Sequence, residues 1–327
     1  MEEPVWRILT FVQGTCLKGI IFDPIIWVTM VIYCSIILIA RLGAAAPTSA
    51  DLLTKSGKLA VLGGFLSFFL VFFVNQTNTR FLEMYGFSKA CSGRTQDVAG
   101  LASNQFPADL AQQIIRHMNA AQIAGYVGLG GPYSKLHFFD HYNSVHNLMT
   151  PEEMEQISHL DMNSGSDVLK ELVTWCQRDV GYAKKMGYID SIEATEYYAR
   201  ILDFRASMDG IYDYCDQPPH FFYIHFLCFL SAFYLPLFAI ESAYVAGFGE
   251  DSDWGFQAYM AIVVFLQCIF VTGLRLLGQK MLDPYGDDSE DLSVTTYVET
   301  TLHICSIISS TSGSYLNNKK SQEGGSE

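Results

Sequence analysis

Four long apolar stretches constrain this chain more than any other feature of its sequence. They lie at residues 24–42, 59–74, 220–247 and 255–278. An α-helix needs about 20 mainly apolar residues to cross the hydrocarbon core of a bilayer. The stretches approach or exceed that length, and 50% of the 327 residues are hydrophobic. We therefore predict four transmembrane helices, with the polar remainder outside the membrane.

The second stretch ends in a run with an unusual aromatic content. Residues 63–80 read GGFLSFFLVFFVNQTNTR, so five phenylalanines are followed at once by polar side chains. Positions four apart share a face of a helix, and the phenylalanines therefore form two stripes. The stripes are Phe68/Phe72 and Phe65/Phe69/Phe73. Periodicity favours a membrane helix that is aromatic on all sides. The alternative is that one stripe lines a hydrophobic constriction, which gates ions by dewetting.

Residues 80–218, between the second and third spans, contain no stretch of membrane length and read as a helical domain. One helix is predicted to open just after Pro107. Another opens at Thr150, which suits an N-cap because Pro151 and two glutamates follow it. A third helical pattern runs over residues 191–214. This domain holds 11 of the 20 basic residues, whereas the connection between the last two spans has acidic residues and no basic one, so we expect the domain on the cytoplasmic side.

Charge and cysteine content exclude several classes of protein. The chain has 34 acidic and 20 basic residues, a net charge of −14, which is the opposite of the basic surface that nucleic-acid binding requires. Its eight cysteines are scattered without a Cys-x-x-Cys pair, so neither a disulfide framework nor a zinc site is predicted. We find no glycine-rich phosphate loop, nucleophile elbow or catalytic dyad, and we do not expect an enzyme.

Two groups of polar residues leave alternatives open. His137, His141 and His146 could hold a transition metal, but structural histidines are favoured because no His-Glu-x-x-His pattern accompanies them. Arg275 lies near the end of the fourth span. It is expected to reach the membrane surface or to face a water-filled vestibule.

An acidic turn follows the fourth span directly. Residues 283–292 read DPYGDDSEDL, with five carboxylates beside a proline and a glycine. Clustered carboxylate oxygens are the ligands that Ca²⁺ prefers, but a run of acids is more often a solvated cap. Because like charges repel one another, their place on a tight turn at a membrane exit favours the ion site.

This acidic turn resembles the signature of bestrophins, pentameric anion channels in which Asn-Pro-Phe-Gly-Glu-Asp-Asp-Asp-Asp-Phe follows the fourth membrane helix. Three further stretches resemble the family in the same order along the chain. They are Gln13–Lys18 (family Arg-Gly-Ser-x-x-Lys), Ser67–Arg80 (Ser-Phe-x-Leu-Gly-Phe-x-Val…Thr-Arg) and Arg205–Tyr223. The resemblance thus covers nearly the whole chain.

The resemblance implies two constrictions in a pore. The family's neck is lined by rings of hydrophobic side chains, and two of them correspond to Phe68 and Phe72. The third corresponds to Gly64, where the family has a larger aliphatic residue, and the neighbouring Phe65 would have to turn inward to replace it. A second constriction, at the cytoplasmic aperture, corresponds to Ile192. An ordinary packed position on a helix explains that isoleucine equally well.

The resemblance also implies a calcium site. In the family, aspartates of the acidic segment and backbone carbonyl groups bind Ca²⁺. Asp288 and Asp291 match the side-chain ligands, and Asp283 stands where the family has asparagine. The family also uses a carbonyl group from the N-terminus of a neighbouring subunit, and the matching position would precede Met1.

The predicted fold class is all-α, with four transmembrane helices and a large helical cytoplasmic domain, assembled as a pentamer around a central pore. The predicted divisions are residues 1–21 (N-terminal cytoplasmic segment), 22–79 (first two transmembrane helices, with the pore neck at 63–74), 80–218 (helical cytoplasmic domain), 219–280 (last two transmembrane helices), 281–311 (calcium clasp and following helix) and 312–327 (disordered tail).

The resemblance implies a homopentamer that conducts small anions, chloride and bicarbonate, through a hydrophobic neck under the control of Ca²⁺. Such a protein is a multi-pass protein of the cell membrane or of an organelle membrane, with both termini in the cytoplasm and with lipid around it. The alternative is a membrane-anchored helical interaction protein without a pore, in which residues 80–218 dock a partner. A third possibility is a membrane enzyme that uses a metal bound to the histidines at 137–146.

Overall fold

Helices are the only regular secondary structure in the residues that the structure describes. The computed structural model describes residues 17–43, 58–161, 163–217, 219, 221–249, 252–286 and 291–323, without the side chains of residues 58 and 312–323. The helices are α1 (Leu17–Ile21), α2 (Pro24–Arg41), α3 (Lys58–Gln105), α4 (Ala108–Tyr126), a π-helical turn (Lys135–Phe139), α5 (Asp140–His146), α6 (Pro151–Ile157), α7 (Ser166–Lys185), α8 (Ser191–Asp216), α9 (Phe221–Phe248), α10 (Trp254–Lys280) and α11 (Val294–Glu323).

Four of these helices are long and apolar enough to cross a membrane, which confirms the four predicted spans. They are Pro24–Arg41, Leu59–Gln105, Phe221–Phe248 and Trp254–Lys280. The second span does not end where hydropathy falls after Val74, because α3 continues as one helix to Gln105. The all-α fold class is thereby confirmed for the described residues.

The chain divides into two compact units. The first consists of Met1–Phe81 and Pro218–Asp283, and the second consists of Leu82–Gln217 and Pro284–Glu327. In the first unit α2 packs against α9 and α10, these two pack against each other, and α1 packs against α10. The apolar core of this unit includes Leu66, Leu70, Phe73, Leu227, Tyr234, Leu235, Val264, Cys268 and Val271.

Small residues allow the helices of the first unit to approach closely. A Cβ atom on Gly278 of α10 would overlap the ring of Phe73, so the phenylalanine packs directly on the backbone of α10. A Cβ atom on Gly63 would likewise overlap the ring and hydroxyl of Tyr234 on α9. The core of this unit therefore depends on aromatic side chains that are seated on glycine.

The prediction that Arg275 reaches the membrane surface or faces a water-filled vestibule is wrong. Its side chain is buried within the first unit and forms an ion pair with Asp23, the residue that caps the N-terminus of α2. Asp23 also accepts a hydrogen bond from the backbone N–H of Ile25 at 2.9 Å. A buried guanidinium group needs a charged partner, and the partner lies 252 positions away in the sequence, where no local pattern indicates it.

The second unit has α4 at its centre. This helix packs against α7 and α11, and α7 packs against α8. The three predicted helices are confirmed, since α4 begins at Ala108, α6 begins at Pro151 and α8 covers Ser191–Asp216. Thr150 and Glu153 form a reciprocal capping box at the start of α6.

The last helix extends further than the sequence indicates. The low complexity of residues 312–327 predicts a disordered tail, whereas α11 continues to Glu323. The side chains beyond Thr311 and the last four residues lie outside the described part of the chain.

Candidate functional site

The buried residues of α3 form two series, one before and one after residues 78–83, and within each series they recur mainly at intervals of three and four residues. The buried positions are Gly63, Leu66, Leu70, Phe73, Thr77, Met84, Ser88, Cys91, Ser92, Thr95, Val98, Ala99 and Ala102. Side chains with this spacing lie on one side of a helix, where they contact the rest of the chain. The opposite face of α3 is left open.

The open face carries the two residues that match the family's neck. Phe68 is 65% exposed and Phe72 is 53% exposed, whereas Phe73 is 1% exposed. Gly64 lies on the same open face, because a Cβ atom added there would have no neighbour within 4 Å. The structure therefore separates these three positions from the packed side of the helix.

Phe65 does not lie on the packed side of the helix with Phe69 and Phe73, although the spacing of four residues predicts that the three share a face. Phe65 is exposed and Phe69 is partly buried, whereas Phe73 is fully buried. Because an α-helix has 3.6 residues per turn, each step of four residues advances by about 40° around the axis. A stripe of residues four apart therefore winds from the open face to the packed face.

Contacts with α9 hold Phe69 on the packed side. The ring of Phe69 meets the ring of Phe226 edge-on at 6.5 Å, and the hydroxyl of Tyr223 donates to the backbone carbonyl of Phe69 at 3.3 Å. Tyr223 also meets the ring of Phe73 edge-on at 5.9 Å. These contacts leave Phe68 and Phe72 as the open pair.

The polar residues after the phenylalanines extend the open face. Asn75 lies seven residues beyond Phe68, and Thr79 lies seven residues beyond Phe72, so each pair is separated by nearly two turns. Both polar residues are exposed, and the hydroxyl of Thr79 donates to the backbone carbonyl of Asn75 at 3.0 Å. Sequence reasoning missed these two positions, although their spacing could have indicated them.

Ile192 is the second residue of α8. Its side chain is 81% exposed, so it is not packed inside the chain. Asp190 caps the helix by accepting hydrogen bonds from the backbone N–H groups of Ile192 and Glu193. A rigid helix start therefore presents a large apolar side chain to the outside of this unit.

The acidic segment after α10 is held within the second unit both before and after residues 287–290, which lie outside the described residues. The backbone N–H of Leu292 donates to the carbonyl of Pro284 at 2.8 Å, which closes a turn. Inside the turn Tyr285 is buried, and its hydroxyl lies 2.7 Å from the hydroxyl of Ser88 and 3.2 Å from the carbonyl oxygen of Met84. Burial raises the pKa of Tyr285.

A glycine is required at position 130, where the backbone of this segment comes close to the loop after α4. A Cβ atom on Gly130 would overlap the backbone carbonyl of Tyr285, so only glycine permits this approach. On the other side of the turn, the hydroxyl of Tyr133 donates to the carbonyl of Leu292 at 3.5 Å. The backbone before and after the acidic residues is thus held in place.

Two of the three predicted calcium ligands lie among the described residues. Asp283 is exposed and Asp291 is half-buried, and both offer carboxylate oxygens, the ligands that Ca²⁺ prefers. Asp288 belongs to residues 287–290, which lie outside the described residues, as do residues 13–16 of the N-terminal motif. Within the described ranges alone, no three His, Cys, Asp or Glu side chains form a potential metal site.

The three histidines of the sequence analysis are exposed and do not converge. The rings of His141 and His146 both contact the ring of Tyr142, at centroid distances of 5.6 Å and 6.0 Å. His137 lies in the π-helical turn and is exposed. The structure uses this segment for aromatic packing, and the hydroxyl of Tyr142 donates to Glu299 of α11 at 3.2 Å.

Comparisons with known proteins agree with this architecture. A crystal structure described as that of a membrane protein superposes with a TM-score of 0.72 and 15% identity, covering 89% of this chain and 98% of that chain. A crystal structure of a bacterial bestrophin homolog from Klebsiella pneumoniae has a TM-score of 0.70 and 14% identity, over 88% of this chain and 97% of that chain. These likenesses show a shared fold.

Sequence comparison adds the family. Bestrophin-6 of Caenorhabditis elegans is 22% identical over 259 residues, which cover 77% of this chain and 65% of that protein. The chain therefore matches just under two thirds of this relative's length. The family model described as "Bestrophin, RFP-TM, chloride channel" matches residues 3–311. Since that match takes in nearly the whole sequence, the chain belongs to the bestrophin family, a family of anion channels.

Proposed function

We propose that this protein is a homopentameric channel for small anions, chloride and bicarbonate, with Phe68 and Phe72 of each subunit lining a hydrophobic neck. The observation that carries the proposal is the open face of α3, on which these two phenyl rings stand while Phe73 packs inside the unit. A ring of five such helices would bring the open faces together around one axis.

The polar residues on the same face support a water-filled path rather than contact with lipid alone. Asn75 and Thr79 are exposed next to Phe72, and an amide group without hydrogen-bond partners is costly in hydrocarbon. A phenyl ring offers an electropositive edge to an anion while its face stays apolar. The neck would therefore block ions when dewetted and contact anions weakly when hydrated.

The negative charge of the chain does not fall on this stretch of the proposed pathway. The net charge of −14 would repel anions if it were spread along the pore. The open face of α3 from Gly64 to Thr79 has no charged side chain, however. The acids are concentrated elsewhere, for example in the turn at 283–292.

Two further parts of the site belong to the proposal. Ile192 would form the second constriction, since its large apolar side chain is presented outside the unit. Asp288 and Asp291, with Asp283, would hold Ca²⁺, whose charge would neutralise the repulsion between these carboxylates. The closed backbone turn between Pro284 and Leu292 supports such a clasp.

The proposal places the protein in the cell membrane, with lipid around the helices of the first unit and both termini in the cytoplasm. A membrane-anchored interaction protein without a pore is the competing function. The mass of the purified protein in detergent separates them, since five copies in one particle support a pore and a monomer supports an anchor. Chloride efflux from vesicles that contain the protein tests conduction directly, and permeability to cations above chloride would overturn anion selectivity.

Gating by the neck is tested with a matched pair of variants. The double change Phe68→Ala with Phe72→Ala is expected to raise chloride efflux in the absence of Ca²⁺, because it widens and wets the constriction. Phe229→Ala with Phe233→Ala on α9 is the control, since these are also exposed phenylalanines four residues apart. Equal efflux from the two double variants would remove Phe68 and Phe72 from the gate.

Control by calcium is tested in the same vesicles. Asp288→Asn with Asp291→Asn is expected to abolish the response of efflux to Ca²⁺, whereas Asp216→Asn, an exposed acid at the end of α8, should keep it. A response that survives the first double change would exclude these aspartates as ligands.

A further inference from the structure

A buried group of ionisable side chains lies in the second unit and takes no part in the proposed pore. The side chain of His117, on α4, is 3% exposed. Its Nε2 atom is 2.9 Å from a carboxylate oxygen of Glu153, and its Nδ1 atom is 3.5 Å from a carboxylate oxygen of Asp179. Glu153 belongs to α6 and Asp179 belongs to α7, so three helices meet at one imidazole ring.

This arrangement does not suit a metal ion. The two carboxylates approach different nitrogen atoms of the ring, and the lone pairs of these atoms point away from each other. Glu153 and Asp179 therefore cannot bind one ion together with His117, in agreement with the lack of any three-residue metal site in the described ranges. A proton on the ring is the charge that both carboxylates can share.

Glu153 supplies a permanent negative charge. Its burial opposes ionisation, but hydrogen bonds from Arg116, from the backbone N–H of Thr150 and from His117 outweigh burial and lower the pKa of Glu153 to about 2. Arg116 lies 3.1 Å from this carboxylate. Glu153 thus has a second cation besides the imidazole.

Asp179 has fewer partners. It accepts a hydrogen bond from the amide of Gln113 at 3.2 Å, and in the described part of the chain no arginine or lysine lies within 4.0 Å of it. Its neighbour Arg178 is instead 3.7 Å from Glu171. The charged and titratable side chains around the ring are Arg116, Glu153, Glu171, Cys176, Arg178 and Asp179.

The ring nitrogen that faces Asp179 is not satisfied. Nδ1 of His117 is buried and has no hydrogen-bond partner at the distance seen here. A neutral imidazole has one N–H group and one lone pair, whereas the charged form donates from both nitrogens. One of the two carboxylates therefore faces a lone pair unless the ring is protonated.

We propose that His117 is a proton-dependent link between α4, α6 and α7. Uptake of a proton gives Nδ1 a hydrogen to donate to Asp179 while Nε2 stays bonded to Glu153, and α7 is drawn against the other two helices. A cavity of about 270 Å³, lined by His117, Trp175 and both carboxylates, gives the proton access.

The link has a consequence for conduction that rests on the proposed function. Asp179 lies near the end of α7, which terminates at Lys185, and the next helix begins at Ser191 and presents Ile192. Since α7 and α8 pack together, the position of α7 bears on the residue proposed for the cytoplasmic constriction. Acidification would then change anion flux through His117.

Hydrogen exchange measured by mass spectrometry tests the link without requiring a channel. After correction for the intrinsic rate, amide exchange in α6 and α7 is expected to be about tenfold slower at acid pH than at pH 8, the size expected for one charge-assisted hydrogen bond. His117→Gln and Asp179→Asn should both abolish this difference. His137→Gln, which changes an exposed histidine, should keep it.

An exchange ratio that does not change with pH would overturn the proposal, as would a pH response that survives both His117→Gln and Asp179→Asn. Two variants are used so that a folding defect in one does not decide the result. Chloride efflux at the same pH values separates the two proposals. If hydrogen exchange responds to pH but no chloride efflux is seen, only the proposed channel function is contradicted. If chloride efflux is seen but hydrogen exchange does not respond to pH, only the proposed proton-dependent link is contradicted.

Discussion

The two units use large apolar side chains in opposite ways. In the first unit, the most apolar window of each candidate span is only 17% to 28% buried, and side chains such as Trp27 and Phe68 are exposed. In the second unit, α4 is buried along most of its length, and the buried side chains include the polar groups of His117, Asn119 and Gln122. Both units bury some polar groups, such as Arg275 in the first and His117 in the second, but the first leaves more of its large apolar side chains exposed.

The difference shows what each unit relies on for stability. Exposed apolar side chains are stable next to lipid, so the first unit needs internal packing only along narrow contacts such as Phe73 on Gly278. A unit surrounded by water must bury its apolar surface, and the polar groups that are buried with it need hydrogen-bond partners. The helix α3 takes part in both units and has buried residues in each.

The largest effect is expected from the comparison of two phenylalanines on α3. Phe73→Ala should lower the free energy of unfolding by about 3–5 kcal/mol, because it leaves a cavity in the core. Phe68→Ala removes an exposed ring and should change stability by about 0.5 kcal/mol or less. Unfolding of each purified variant in detergent measures both values. Equal losses would show that the open face is packed in the native protein.

A smaller loss is expected where the second unit buries a polar group. Tyr285→Phe removes the hydroxyl that contacts Ser88 and the carbonyl of Met84, which should cost about 1–3 kcal/mol because these buried groups lose a partner. Tyr182→Phe is the control, since Tyr182 is exposed. Identical unfolding of the two variants would mean that Tyr285 does not anchor the acidic segment.

The polar end of the open face provides a test of selectivity. Asn75→Asp should lower the ratio of chloride to sodium permeability about tenfold, equivalent to about 1.4 kcal/mol, because a ring of carboxylates repels anions. Gln76→Asp is the control, since the adjacent exposed residue points about 100° away around the helix. Reversal potentials measure the ratio. An equal drop in both variants would show that Asn75 has no special place in the pathway.

A pH-dependent effect is expected from acid on the cap of α6. The pKa of Glu153 is lowered to about 2 in the folded chain from an ordinary value of 4.5, so the folded state binds fewer protons than the unfolded state between these values. Its stabilising contribution is full above about pH 4.5 and is lost as the pH falls towards 2. Thermal unfolding against pH measures this loss. Glu153→Gln should unfold with a weaker dependence over the same range, and an unchanged dependence would contradict the assignment.

Local signals determined most of the fold. The four spans follow from length and apolar content, and the start of α6 follows from the Thr150 cap, because a span or a cap depends only on residues a few positions apart. The family follows from short motifs in a fixed order, and the family model over residues 3–311 agrees. Phe68, Phe72 and Ile192 were singled out by resemblance, and the structure adds that they are exposed.

Only the tertiary structure decided which face of each helix is used. The spacing of the phenylalanines on α3 grouped Phe65 with Phe73, but packing against α9 and α10 buries one and leaves the other open. Arg275 with Asp23, and His117 with Glu153 and Asp179, are paired across 252, 36 and 62 positions of sequence. Such pairs depend on which helices come together, and a local pattern of residues carries no record of that choice.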